Sequence, residues 1–247
     1  MKDKIKISAV SYLNSKPFLY GLFKHDMDKE VELSLDIPSE CARKLVSGEV
    51  DLGLVPVAVI PQLKESHIIS DFCIGADGKV KTVSIFVMRP IEELTHLYLD
   101  YQSRTSVALA KLLLKDYWKQ SPTLLEANSQ YIEQIKDTTG GVIIGDRTIG
   151  LEDRFPYVYD LSEAWTAWTG LPFVFAAWVA NKALPTSFIS KFDAALADGI
   201  NCIDQVAHLF QSSHLHFDVL EYYQKYISYP LDEAKKAGMK RFLDALT

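Results

Sequence analysis

The chain has 247 residues, 48% hydrophobic and 23% charged, so it can bury a full core as one large domain or two small ones and bears no compositional mark of disorder. Its formal net charge is −6 with no Lys/Arg-rich run, so no nucleic-acid partner is expected, since a phosphate backbone demands a positive footprint. Cys41, Cys73 and Cys202 are scattered and odd in number, the start lacks the apolar core of a signal peptide, and no apolar run nears the ~20 residues of a membrane span; a reduced, cytoplasmic protein is expected.

Lys4–Val10 alternates as a strand and runs into Ser11-Tyr12-Leu13-Asn14-Ser15, after which Lys16–Lys24 reads as a helix. Glu30–Ile37 is a second strand with Val31, Leu33, Leu35 and Ile37 on one face, and Pro38 opens a helix that runs to Ser47 and ends at Gly48. Val50–Val55 is an apolar strand, and Pro56 starts another helix. Strands separated by helices at this spacing imply parallel βαβ units. Val83–Met88 is a further strand, and the pattern then restarts. His96–Asp100, Pro122–Glu126, Gly141–Ile144 and Tyr157–Asp160 read as strands, Ser106–Trp118 and Ile132–Asp137 as helices. Phe173–Ala180 is again strand-like. The tail turns helical, with Phe188, Phe192, Ala195, Ile200, Ile203 and Phe210 at helical intervals, then Val219–Ile227 and Leu231–Leu246.

Val83–Met88 and Phe173–Ala180 are long apolar strands between lobe-like blocks, which favours a discontinuous layout: residues 1–85 plus 179–247 as one lobe, 86–178 as the other. Two crossings make a hinge with a ligand cleft between the lobes.

Four turns follow strands and offer unpaired donors: Ser11–Ser15, Asp51–Ala58 with Pro56, Ser103-Arg104-Thr105-Ser106, and Gly145–Gly150. Helix N-termini gather backbone N–H groups and positive dipole ends, so several facing one cleft hold a small polyanion. Ser, Thr and Asn at helix starts also serve as plain caps worth about 1 kcal/mol each, and both readings stand. Arg104 reads more readily as a surface side chain than as a ligand-binding one, and Asp146 and Arg147 read as a local ion pair. Trp165, Trp168 and Phe173 fit a core better than a ring-binding wall. His214 and His216 form an H-x-H pair with no supporting ligands, so no metal is expected. The absence of G-x-S-x-G, P-loop and G-x-G-x-x-G patterns removes the common hydrolase, nucleotide and dinucleotide readings.

Four segments in order, "SYLNSKPF" (Ser11–Phe18), "DLGLVPVA" (Asp51–Ala58), "SRTSVALAKLLL" (Ser103–Leu114) and "TGLPFVFAAW" (Thr169–Trp178), resemble the chorismate dehydratases that open the futalosine route to menaquinone. The likeness runs from Ile5 to about Ala245 and implies an α/β fold of the two-lobed periplasmic-binding-protein type II class. It implies loss of water from chorismate, a ring dicarboxylate with a hydroxyl and an enolpyruvyl ether, to give 3-[(1-carboxyvinyl)oxy]benzoate, without a cofactor. It places Asn14 and Ser84 at the reacting centre. Ser103, Arg104, Thr105 and Ser106 would bind substrate at a helix end, and Ser11, Ser15 and Pro56 would shape the first-lobe wall. Asp146 competes with the substrate's own side-chain carboxylate for the role of base. The sister dihydroxynaphthoate synthases carry a different first loop, with Pro, Cys and an Asn-Asp pair. A solute-binding protein for a small carboxylate is the non-catalytic alternative; the effector-binding part of a transcription regulator is another, with no helix-turn-helix before the first strand. The expected state is a monomer or homodimer.

Overall fold

A computed structural model describes residues 4–211 and 217–246. In chain order the first block contains β1 (Lys6–Val10), α1 (Lys16–Lys24), α2 (Met27–Glu30), β2 (Glu32–Asp36), α3 (Pro38–Ser47), β3 (Leu52–Pro56) and β4 (His67–Ala76). The second holds β5 (Val83–Val87), β6 (His96–Leu99), α4 (Arg104–Asp116), β7 (Thr123–Glu126), β8 (Thr139–Ile144), β9 (Tyr157–Asp160) and α5 (Leu161–Thr169). The chain then returns through β10 (Phe173–Ala180), α6 (Thr186–Asn201), α7 (Ile203–Leu209), α8 (Val219–Glu221), β11 (Ser228–Pro230) and α9 (Glu233–Asp244).

Two mixed sheets result, a six-stranded one in the order β11-β4-β10-β3-β1-β2 and a five-stranded one in the order β7-β6-β8-β5-β9. β5 pairs only within the five-stranded sheet and β10 only within the six-stranded one. The strands themselves therefore do not cross; residues 77–82 and 170–172 make the two passages. Asp160 ties these regions together. One of its oxygens caps α5 through the amides of Ser162 (3.0 Å) and Glu163 (3.1 Å), and the other takes the amides of Val80 (3.0 Å) and Lys81 (2.7 Å). Burial nevertheless dominates and pushes its carboxyl up to about 6.

All eight residues of β10 are buried, as expected of an apolar run in the middle of a sheet. β2 is an edge strand, so Leu35 stays 48% exposed even though Val31 just before the strand is buried. α1 and α6 cross at backbone contact. A Cβ on Gly21 would sit 1.9 Å from the Ala195 carbonyl oxygen, and one on Gly199 1.9 Å from that of Pro17. Trp165, Phe173 and Phe242 pack edge to face at centroid separations of 5.0–6.1 Å, the core role expected for the first two.

Several elements depart from expectation. The sequence pattern does not mark β4 as a strand, because Asp71 and Gly75 break its alternation. α5 was likewise missed. Val57–Gln62 and Tyr131–Gln134 are short 3-10 turns in place of helices, the first ending just after Pro61. Val219–Ile227 starts as α8 but continues as one π-turn over Tyr222–Tyr226, closed by the Ile227 amide on the Tyr222 carbonyl (3.1 Å). The His214/His216 pair lies outside the described residues.

Candidate active site

The turn after β1 is pinned from every side. The Ser15 hydroxyl donates to the carbonyls of Val10 (2.5 Å) and Tyr12 (2.8 Å). Tyr223 donates to the Leu13 carbonyl (3.0 Å) and Tyr229 to the Asn14 carbonyl (2.9 Å), so the C-terminal segment holds this turn. The Leu13 amide donates to both carboxylate oxygens of Asp146, from the other lobe, at 3.0 and 3.1 Å. A turn held at this many points restricts where Asn14 points.

Asn14 lines a cavity of about 50 Å³ between the lobes, together with Tyr12, Pro56, Thr82, Ser103 and Ser106, and with apolar groups such as Val10, Val83 and Phe175. No side chain lining it bears a formal charge. The Asn14 Oδ1 is buried without a partner. A buried, unpaired amide oxygen costs about 1–3 kcal/mol, and here it faces a cavity where a ligand can supply the missing donor. At about 50 Å³ the cavity is far below the roughly 300–1,000 Å³ of ordinary small-molecule sites, so a ring dicarboxylate enters only when the lobes part.

Polar contacts span the gap. The Tyr12 hydroxyl donates to Gln102, and the Ser39 amide donates to the Gln102 carbonyl (2.9 Å). The Ala58 amide donates to Thr105 Oγ1 (3.1 Å). The Tyr12 ring also lies where a side chain at Gly145 would be, 2.6 Å from an ideal Cβ, and Gly145 has φ +65°. Only glycine fits both conditions.

Of the residues proposed from sequence, Asn14, Pro56, Ser103 and Ser106 meet in this cavity. Ser103 is also a plain cap: its oxygen accepts the Ser106 amide (3.1 Å) and its hydroxyl donates to Ser106 Oγ (3.0 Å). Ser15 and Thr105 are buried beside it with their oxygens already bonded to protein partners. Ser11 is half-buried behind the turn, its amide on the Asp36 carbonyl (3.0 Å). Arg104 is exposed and donates to Gln62 (3.2 Å). Ser84 is not among the lining residues, although Thr82 and Val83 are; it sits across from Ile143 and Asp160, with its Oγ buried and unpaired. Asp146 does not pair with Arg147. Burial raises its pKa, with the Leu13 amide and Lys16 opposing. Arg147 instead bonds Asp100 (2.6 Å), which also receives Tyr131 (2.9 Å) and the amides of Gln102 (2.8 Å) and Ile144 (3.2 Å).

The chain matches the family model described as menaquinone biosynthesis over residues 5–247. It belongs to that family. The chorismate dehydratase of Thermus thermophilus is 31% identical over 231 residues, covering 85% of this chain and 84% of that protein. That of Campylobacter jejuni is 26% identical over 243 residues, covering 96% and 95%. Among solved structures, protein AF1704 of Archaeoglobus fulgidus superposes with a TM-score of 0.77 at 16% identity, covering 98% of this chain and 96% of that one. The Candida albicans CA3427 product, described as having the generic periplasmic-binding-protein fold, gives 0.63 at 11% identity, covering 98% and 89%. The fold class expected from sequence is therefore the one observed.

Tyr12 and Thr82 line the cavity, Gln102 receives Tyr12, and the tail tyrosines hold the Asn14 turn, placements with no local motif in the sequence. The dense tyrosines of "EYYQKYISYP" were the available signal, because a buried tyrosine needs a partner for its hydroxyl. Among the described residues no group of three or more His, Cys, Asp or Glu is placed to hold a metal, and no helix is long and apolar enough to cross a membrane.

Proposed function

We propose that this chain is a chorismate dehydratase, a hydro-lyase that removes water from chorismate to give 3-[(1-carboxyvinyl)oxy]benzoate, working in the cytoplasm without a cofactor. The observation that carries the reading is the unpaired, buried Asn14 oxygen in an interlobe cavity lined only by neutral groups. The two dehydratase relatives supply the substrate class.

In this reading the proton leaves the ether-bearing ring carbon, acidified through conjugation to the ring carboxylate, and hydroxide leaves the neighbouring carbon. Aromatisation drives the step. The protein's part is to hold the dianion and stabilise charge as it shifts. Ser103 and Ser106, at the start of α4, receive a carboxylate where the helix dipole favours it. Asn14 serves the reacting centre, with Ser84 behind it on β5. Ser11, Ser15 and Thr105 support the walls, and Arg104 acts at the cleft rim. Asp146 bonds the Leu13 amide, which leaves the substrate's own side-chain carboxylate as the acceptor of the proton. The hinge falls at residues 77–82 and 170–172, displaced from the 85/86 and 178/179 limits expected from sequence.

Mixing the purified protein with chorismate and following loss of the mass of one water tests the assignment. Asn14→Ala lowers turnover by on the order of 10²-fold, the scale for losing one oriented polar group. Binding without conversion by the unaltered protein favours a solute-binding role, and wild-type turnover in the variant removes Asn14 from the centre.

A further inference from the structure

Tyr222 is fully buried, and nothing in the reaction calls for a phenol at that depth. Its hydroxyl lies 2.8 Å from Thr82 Oγ1, and Thr82 lines the cavity. Burial raises the pKa of this phenol, and the Thr82 and Asn14 side chains beside it oppose that rise. The π-turn over Tyr222–Tyr226 makes this arrangement possible. Tyr222 and Tyr223 are both buried, with ring centroids 5.9 Å apart, so two consecutive side chains reach the Asn14 turn. π-turns inside helices recur at functional sites for this kind of re-aiming.

An asparagine amide has a donor end and an acceptor end, and an isolated one flips between them at little cost. An amide nitrogen donating to the Tyr222 oxygen, with that hydroxyl held by Thr82 at 2.8 Å, would select one orientation. The Asn14 Oδ1 is the end left buried without a partner. We propose that Tyr222, braced by Thr82, is a positioning residue that locks the Asn14 amide with its oxygen toward the cavity, so that Asn14 meets substrate as a hydrogen-bond acceptor. The inference rests on the dehydratase reading above for its kinetic consequence but not for the lock itself.

The test is a double-mutant cycle with a spectroscopic arm. Tyr222→Phe keeps the ring and removes the hydroxyl; it lowers kcat about tenfold, the scale of one hydrogen bond, while KM changes by less than about twofold. In an Asn14→Ala background the same change causes no further loss, because it acts only through Asn14. Thr82→Val reproduces the effect in a more conservative way and covers the case in which Tyr222→Phe fails to fold. In ¹⁵N-edited spectra, the side-chain amide pair that is absent from Asn14→Ala shifts in both Tyr222→Phe and Thr82→Val. Equal losses in the wild-type and Asn14→Ala backgrounds, or an unmoved amide pair, overturn the proposal. If the unaltered protein does not dehydrate chorismate, the functional reading fails, and the amide signal still decides whether the lock exists.

Discussion

Asp146→Asn separates two roles for the acidic group closest to the site. Its carboxylate accepts the Leu13 amide from across the cleft, at 3.0 and 3.1 Å, while Gly145 beside it lines the cavity. As a clasp, the carboxylate contributes about 1.5–3 kcal/mol through a hydrogen bond to a charged group, of which a neutral amide oxygen retains about 0.5–1.5 kcal/mol. The substitution therefore costs about 1 kcal/mol of the closed state, roughly a fivefold loss in kcat/KM. Asp146→Ala, which removes the acceptor altogether, costs the full 1.5–3 kcal/mol, roughly 10- to 150-fold. Steady-state kinetics with chorismate, read alongside small-angle scattering of the ligand-bound form, show the graded pattern together with more open particles in the alanine variant. A general base behaves differently: Asn and Ala are then equally poor, with kcat lower by about 10²–10⁴-fold and scattering unchanged. That result refutes the clasp and makes Asp146 the proton acceptor.

Other consequences follow from packing and charge. Gly199→Ala drives a Cβ to 1.9 Å from the Pro17 carbonyl oxygen and must push α1 and α6 apart. The expected cost is about 3 kcal/mol, the upper end of overpacking, or roughly a 6–12 °C fall in thermal midpoint for a chain of this size; an unchanged midpoint contradicts the crossing. Asp160, held near pKa 6 against its ordinary 3.8, is protonated in the folded state first. Its contribution to stability is therefore full below about pH 4 and is lost as pH rises through 6. Urea unfolding at pH 5 and pH 7 shows wild type gaining on the order of 1 kcal/mol more on acidification than Asp160→Asn, and equal gains exclude Asp160 as the source.

Much of the architecture was legible because local signals agreed with it. Pro38 and Gly48 bracket α3, Ser103 caps α4, and the apolar run of β10 needs burial on both faces. β4 was hidden because its partners, β10 and β11, lie about 100 and 150 residues later in the chain, and its own polar residues break the pattern. Asn14 and the Ser103–Ser106 start were legible as chemistry placed at strand-to-helix turns. The tyrosines were not, since Tyr223 and Tyr229 reach the Leu13-Asn14 turn, and Tyr222 reaches Thr82, only through tertiary folding. The destinations of Thr105 and Asp146, each given to an amide of the other lobe, likewise have no local signature. Thr82 and Val83 line the cavity while Ser84, next in the chain, is not among the lining residues, and no local pattern separates the three.

A crystal grown with 3-[(1-carboxyvinyl)oxy]benzoate tests the central claim most directly. The product is expected between the two sheets, with a carboxylate at Ser103 and Ser106 and the ring carbon that lost hydroxide facing the Asn14 amide. Density confined to the far end of the open groove along α4, a space of about 670 Å³, against Lys111, Lys115 and Leu246 and away from Asn14 and Ser106, would contradict it.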